Sequence, residues 1–240
     1  MGTFGGAQPI VTDGLVFAVD AANYESYPGS GTTWSDLVGS NNGTLINGPT
    51  FDSGNGGSIV FDGTNDYIDC GNPTELQLTG DTITTEHIFS CTENRNSIYY
   101  PCLLSRRTHW LANDTQYSVF LTNDGTNMDQ RTGFFRAGSG AVTANTTLND
   151  GNIHFLTCVY DGSTLKIYHN GELDCTPVSS TGNMNSIDTN VYIGVALANS
   201  SINYTYVSPS NIYLTRIYNR ALSPTEITQN YNALKSRFGL

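Results

Sequence analysis

The sequence predicts an all-β, two-sheet antiparallel sandwich closed by one short C-terminal helix, and three observations carry that expectation. Brief apolar runs alternate with polar residues at the strand period of two, separated by Gly, Asn, Asp and Ser turns at the spacing of a sandwich. One pair of runs, Ile153–Tyr160 and Leu165–His169, flanks Asp161-Gly162-Ser163-Thr164 as a hairpin, with Asn170-Gly171 marking the next reversal. The third is the tail, where Ile212 and Leu214 alternate with Tyr213 and Thr215 as a strand. Ser223 then offers an N-cap, Pro224 sits at the first helical position, where its missing N–H costs nothing, and Glu226 completes a capping box. Ile227, Tyr231, Leu234 and Phe238 fall on one helical face.

In chain order, Met1–Asp13 is a Gly-rich arm without periodicity. Three fates stay open for it: lying along the sheet, disorder, or docking on a neighbouring subunit. A single domain over residues 14–240 follows, since nothing between Gly14 and Tyr218 resembles a linker. Leu15–Val19 reads as a strand, and the long Gly/Ser/Asn loop after it, running to Asn55, is expected to anchor in the core through Trp34 and Leu37. Ser58–Phe61 and Asp66–Cys70 read as a hairpin across Asp62-Gly63-Thr64-Asn65. Thr82–Cys91, Cys102–Ser105, Tyr117–Leu121, Thr132–Arg136, Val191–Val195 and Ile212–Tyr218 supply further strands.

Charged residues make up only 13 % of the chain, so surface polarity must come from Asn, Thr, Ser and Asp, the residues of turns and loop rims. A formal net charge of -11 repels polyanions, and the only adjacent basic pair is Arg106-Arg107, which argues against nucleic acid as a partner. No apolar run approaches bilayer length, and Met1–Asp13 lacks the charged start and apolar centre of a secretion signal, so a soluble chain without membrane insertion is expected. Cys70, Cys91, Cys102, Cys158 and Cys175 are odd in number and lack CxxC spacing, the pattern of buried reduced thiols.

Four blocks, in order, resemble one family. They are Gly14-Leu15-Val16-Phe17-Ala18-Val19-Asp20-Ala21-Ala22-Asn23 with Tyr27-Pro28-Gly29-Ser30-Gly31-Thr32-Thr33-Trp34-Ser35-Asp36-Leu37, then Ser58-Ile59-Val60-Phe61-Asp62-Gly63-Thr64-Asn65-Asp66-Tyr67, then Val159 to Glu172, and last Arg216-Ile217-Tyr218-Asn219-Arg220-Ala221-Leu222-Ser223 with Glu226-Ile227. These are similar to the laminin-G-type domains of the concanavalin A-like lectin/glucanase superfamily. The resemblance implies a jelly-roll sandwich. Stand-alone chains that begin Leu15-Val16-Phe17-Ala18-Val19-Asp20-Ala21-Ala22-Asn23 and end Asn230-Tyr231-Asn232-Ala233-Leu234-Lys235-Ser236-Arg237-Phe238-Gly239-Leu240 look like laminin-G-type proteins of bacteriophage virions, which implies a non-catalytic capsid decoration, tail or fibre component. Its partners would be other virion proteins and further copies of itself, and its place the particle surface. The alternative is a carbohydrate-binding lectin or adhesin at a cell surface, and a glycoside hydrolase stands third. Glu86 to Arg136 departs from the family pattern.

The site residues follow from those readings. Sugar binding needs an aromatic face together with amide or carboxylate partners for hydroxyls. Trp110, with Tyr99, Tyr100, Tyr117, Asn113 and Asp114, is the main expected platform, and Tyr204 and Tyr206 form a second; a core or interface role for Trp110 competes. Relatives of this type hold calcium at the sandwich rim, which singles out Asp62, Asn65, Asp66 and Asp124. Turn formation explains the same residues without an ion. Glu172-Leu173-Asp174-Cys175-Thr176-Pro177 approaches the laminarinase-type Glu-x-Asp-x-x-Glu strand but lacks the final carboxylate, so no enzyme is expected. His87, His109, His154 and His169 have no close i, i+2 or i, i+4 pairing, but His154 and His169 lie on the two strands of one hairpin and can approach each other; a satisfied or half-exposed strand histidine is the reading that competes with a ligand role.

Overall fold

The computed structural model describes residues 9–92, 101–109, 114–122, 131–136, 141–203, 207–208 and 210–240. Its strands are β1 (Leu15–Asp20), β2 (Thr33–Trp34), β3 (Gly43–Ile46), β4 (Thr50–Asp52), β5 (Ser58–Val60), β6 (Tyr67–Asp69), β7 (Ile83–Cys91), β8 (Cys102–Arg107) and β9 (Thr115–Thr122). There follow β10 (Arg131–Arg136), β11 (Val142–Thr143), β12 (Ile153–Tyr160), β13 (Thr164–His169), β14 (Glu172–Leu173), β15 (Val178–Ser179), β16 (Tyr192–Ile193), β17 (Ala196–Ala198), β18 (Ser201–Asn203) and β19 (Ser210–Tyr218). The helix α1 (Pro224–Phe238) closes the fold.

Two antiparallel sheets stack face to face. The first runs β14-β13-β12-β7-β19-β5-β4, with β1 alongside β19 and β15 on β13; the second runs β11-β10-β9-β8-β16-β6-β3-β2. Alternate residues of the first sheet, such as Phe89, Leu156, Cys158 and Ile217, meet Trp34, Ile68, Tyr117, Val119 and Ile193 in one core between the layers. The opposite face of that sheet is also covered, because α1 lays Phe238, Tyr231 and Leu234 on Ile88, Phe155, Tyr213 and Leu214. The β17–β18 hairpin covers the outer face of the second sheet, where the Ser105 hydroxyl donates to Val195 O at 2.9 Å and Arg107 Nε to Leu197 O at 3.2 Å. Arg106 and Arg107 are both buried, so the basic pair is no surface patch. All five cysteines are buried.

The helix forms as its sequence demands. The Ser223 hydroxyl accepts from the Glu226 N–H, Glu226 Oε2 accepts from the Ser223 N–H at 2.8 Å, and Gly239 ends the helix in the left-handed region. Arg220 lies 2.6 Å from Glu226 and, with those capping bonds, holds its carboxyl down at about 2. Ser223→Ala should cost about 1 kcal/mol in chemical denaturation; an unchanged midpoint would show that packing alone sets the helix start.

Because β7 lies in a sheet covered on both faces, it buries polar groups that would otherwise face water. Glu86, under α1, is fully buried. Its Oε2 lies 3.3 Å from Arg216 Nη1, and its Oε1 accepts from Asn230 Nδ2 at 2.9 Å. The Tyr218 hydroxyl, 3.5 Å from Oε2, donates to Val11 O at 3.1 Å, and Val11 N donates to Asn230 Oδ1 at 2.7 Å. Val11 is buried, so the described part of the arm lies against the chain's own sheet and helix. His87 points the other way, into the core, with Nδ1 3.3 Å from Thr215 Oγ1 and Nε2 without a partner among the described residues.

Two expectations are corrected. Ser58–Phe61 and Asp66–Cys70 do not form a hairpin, since β5 pairs with β4 and β19 while β6 pairs with β3 and β16 in the other layer. The local turn does form, with Asp62 Oδ1 accepting from Thr64 N and Asn65 N. Ile59 and Ile68 must enter the core from opposite layers, so the turn hands the chain across instead of folding it back. Trp34 is fully buried as expected, but Leu37 is 41 % exposed. Asp36 anchors that loop instead: Oδ1 accepts from Ala18 N and Val38 N, and Oδ2 from Gly39 N and Asn41 N.

Candidate functional site

The clasp that ends β13 sets up the site. Asn170 and Gly171 both have positive φ, the requirement of a two-residue type I′ turn, and they reverse the chain between His169 and its partner Glu172. His154 near the start of β12 and His169 at the end of β13 are thereby brought to one end of the first sheet. His154 Nδ1 lies 3.0 Å from His169 Nε2, and His154 Nε2 lies 2.9 Å from Asp150 Oδ1. Asn152 fixes that carboxylate, its N–H donating to Oδ1 at 2.8 Å and its Nδ2 to Oδ2 at 2.7 Å.

These groups line a groove of about 540 Å³ with Asn55, Thr146, Asn170, Ile153 and the end of α1. That volume lies within the range of small-ligand sites. Burial lowers both imidazoles, with Asp150 pulling His154 part of the way back, and His169 is lowered further by its neighbour. Burial also works to raise Asp150, but the bonds from Asn152 and His154 outweigh it and hold the carboxyl below its ordinary value. Both histidines are therefore neutral near pH 7 and Asp150 is ionised. An ionised carboxylate can only accept, so His154 Nε2 carries the proton and Nδ1 presents a lone pair. His169 Nε2 must then donate to it, which leaves a lone pair on His169 Nδ1. The hydrogen-bond network thus assigns one direction to the relay, with its acceptor end at His169.

The approach of His154 to His169 was legible from the hairpin; Asp150 and Asn152 were missed, since nothing in Asp150-Gly151-Asn152 distinguishes it from an ordinary turn. Of the expected sugar platform, Tyr117 is corrected: it is fully buried, and its hydroxyl donates to Leu76 O at 3.1 Å. It faces the core because β9 has Tyr117, Val119 and Leu121 on its inward side. Asp114 is half-buried, and its carbonyl accepts from Thr108 N at 2.8 Å. Tyr99, Tyr100, Trp110, Asn113, Tyr204, Tyr206 and Asp124 lie outside the described residues. Tyr24, 75 % exposed on the turn after β1, is an exposed aromatic that the sequence reading did not select.

Asp62 and Asp66 are engaged in their own turn. Asp66 is buried, its Oδ2 accepts from Asp62 N at 3.1 Å, and burial together with the Asp62 charge pushes its carboxyl up. Asn65 supplies its carbonyl to Asn47 Nδ2 at 2.8 Å. Among the described residues no three His, Cys, Asp or Glu side chains converge as a metal site. Glu172 is exposed on the short β14, while Asp174 Oδ2 accepts from Thr146 N at 3.2 Å.

Two facing sheets with a capped helix over one outer face define a lectin-like β-sandwich. The chain belongs to the concanavalin A-like lectin/glucanases superfamily, whose laminin-G-type family model matches residues 62–228. Among solved structures, Trypanosoma rangeli sialidase in complex with 2,3-difluorosialic acid aligns with TM-score 0.71 and 14 % identity, covering 98 % of this chain and 35 % of that one. Domain 4 of AbnA, a GH43 extracellular arabinanase from Geobacillus stearothermophilus, in complex with arabinotriose, aligns with TM-score 0.63 and 14 % identity over 90 % of this chain and 98 % of that domain. The binding domain of Paraclostridial Mosquitocidal Protein 1 aligns with TM-score 0.66 and 14 % identity, over 92 % and 52 %. The chain thus spans about a third of the sialidase chains it resembles. No curated protein matches it by sequence.

Proposed function

We propose that the chain is a non-catalytic glycan-binding and adhesion module, with the groove at Asp150, His154 and His169 as its sugar site. The observation that carries this reading is the hydrogen-bonded relay of Asp150, His154 and His169, all three of which line a groove of ligand size. Asn and Thr side chains around it supply the donors and acceptors that sugar hydroxyls need. The arabinanase domain solved with arabinotriose shares the architecture along its length, so a sandwich of this build is compatible with holding a sugar. A non-catalytic role is supported by the groove lining, in which Asp150 is the lone carboxylate side chain among the described residues. Retaining hydrolysis uses two such groups about 5 Å apart.

The finer assignment is a phage virion surface component, assembled with other virion proteins and further copies of itself. It rests on the resemblance of the opening and closing blocks to such proteins, and a cell-surface lectin is the alternative. Incorporation of the chain into purified particles would support it; absence from intact particles would remove it.

The sugar site is tested on a glycan array at pH 7.5. His154→Ala should weaken binding at least tenfold, because it breaks the relay in the middle. Binding that survives His154→Ala but disappears in Trp110→Ala would move the site to the rim expected from the sequence.

A further inference from the structure

The groove's charges and proton positions specify more than sugar in general, and the following inference rests on the glycan reading above. We propose that the groove takes neutral sugars, through a hydroxyl that donates to His169 Nδ1, and discriminates against acidic ones. Two independent features lead there. First, Asp150 gives the lining a negative charge, and among the described residues neither Lys nor Arg lines the groove to offset it. A sialic or uronic acid would bring its carboxylate into that field with no cation among the described lining residues to meet it. Second, the relay is directional. With Asp150 accepting from His154 Nε2 and His154 Nδ1 accepting from His169 Nε2, the outer nitrogen of His169 can only accept. A hydroxyl satisfies it by donating, whereas a carboxylate cannot.

To receive a carboxylate, His169 would have to carry a second proton while keeping its bond to His154. That charged form is disfavoured by burial, although Asp150 and Asp174 stand near enough to oppose the effect of burial in part. The two sugar classes therefore respond oppositely to acid. Protonation at Nδ1 removes the acceptor that a neutral sugar uses and creates the donor that an acidic sugar needs.

The experiment is calorimetric titration of the wild-type chain at pH 7.5 and pH 5.0. Arabinotriose and cellotriose serve as neutral probes, 3′-sialyllactose and trigalacturonate as acidic ones. At pH 7.5 at least one neutral probe should bind, at least tenfold tighter than either acidic one. At pH 5.0 that preference should shrink. His169→Ala should weaken the neutral probe at least tenfold, and His169→Asn, which restores an acceptor oxygen, should recover part of the loss. Acidic probes binding as tightly as neutral ones at pH 7.5 would overturn the selectivity while leaving the glycan reading intact. Binding by none of the four, with none on a wider array, would sink both. Because the comparison of probes and pH uses the unmodified chain, it stands even if a histidine variant fails to fold.

Discussion

Replacing Arg216 with Met should lower the unfolding free energy by about 3–5 kcal/mol, the usual cost of leaving a buried charge without its partner. Glu86 is fully buried beneath α1, and Arg216 is its sole ionic partner among the described residues. Burial raises the Glu86 carboxyl, while Arg216, Asn230 and Tyr218 act together to bring it down. With the guanidinium gone, that carboxyl must either remain charged in an apolar setting or take up a proton. Each course is costly against a total stability of about 5–15 kcal/mol for a domain. Urea denaturation of Arg216→Met, Glu86→Gln and the double variant isolates the pair. The double variant should lose less than the two single losses added together, because the second change removes the group that the first left stranded. A loss within about 1 kcal/mol for Arg216→Met would show that Asn230 and Tyr218 suffice to hold the carboxylate.

Acid should destabilise the fold well before its surface carboxylates are protonated, and His87 should supply much of the effect. Its imidazole is enclosed in the core with Nε2 unpartnered among the described residues, and burial lowers it from 6.5 to about 3. Because the unfolded chain takes up this proton far more readily than the folded one, the contribution is present in full above pH 6.5. It is lost as pH falls from 6.5 toward 3. At pH 4.5 the loss from this group is about 2–3 kcal/mol, at roughly 1.4 kcal/mol per unit. His154 and His169, also lowered by burial, act in the same direction. Glu86 opposes them, since its raised carboxyl favours the folded state at low pH and that contribution fades as pH rises. His87→Gln should flatten the stability profile between pH 6.5 and 4.5. Carbon-13 chemical shifts of His87 in the wild type give the same answer without a variant: a ring already protonated at pH 5.5 in the folded chain would refute the account.

The parts of the fold that were legible in sequence are those fixed by neighbouring residues. The capping box, the β12–β13 hairpin and the Asn170-Gly171 turn each depend on side chains within a few positions of one another, and each formed as read. What was not legible depends on distant partners. Asp62 to Asp66 has the chemistry of a hairpin turn, yet its flanking strands belong to different layers, a choice made by β3, β16 and β19 far away in the chain. Thr85-Glu86-His87 breaks the apolar pattern of a strand buried under α1 on one face and the core on the other, and Glu86 and His87 Nδ1 take their partners from α1 and β19. The site divides the same way. The histidine pair follows from a local hairpin, whereas Asp150 gains its meaning only from His154 beside it. Tyr117 went to the core because strand alternation outweighed its polar neighbours.

The position of β19 bears on how the polypeptide matures on the ribosome. Along one edge it pairs with β7, and along the other with β5 and then β1, so three early or middle segments converge on a strand made from Ser210 to Tyr218. At about 5–20 residues per second, β1 waits on the order of 10–40 s for its partner to be synthesised. Until then β1, β5 and β7 each carry an open row of amide and carbonyl groups, the template on which nascent chains adhere to one another. A product terminated before Ser210 would keep those edges exposed permanently. Yield of folded protein should therefore depend on holdase chaperones during translation more than on the final stability of the sandwich.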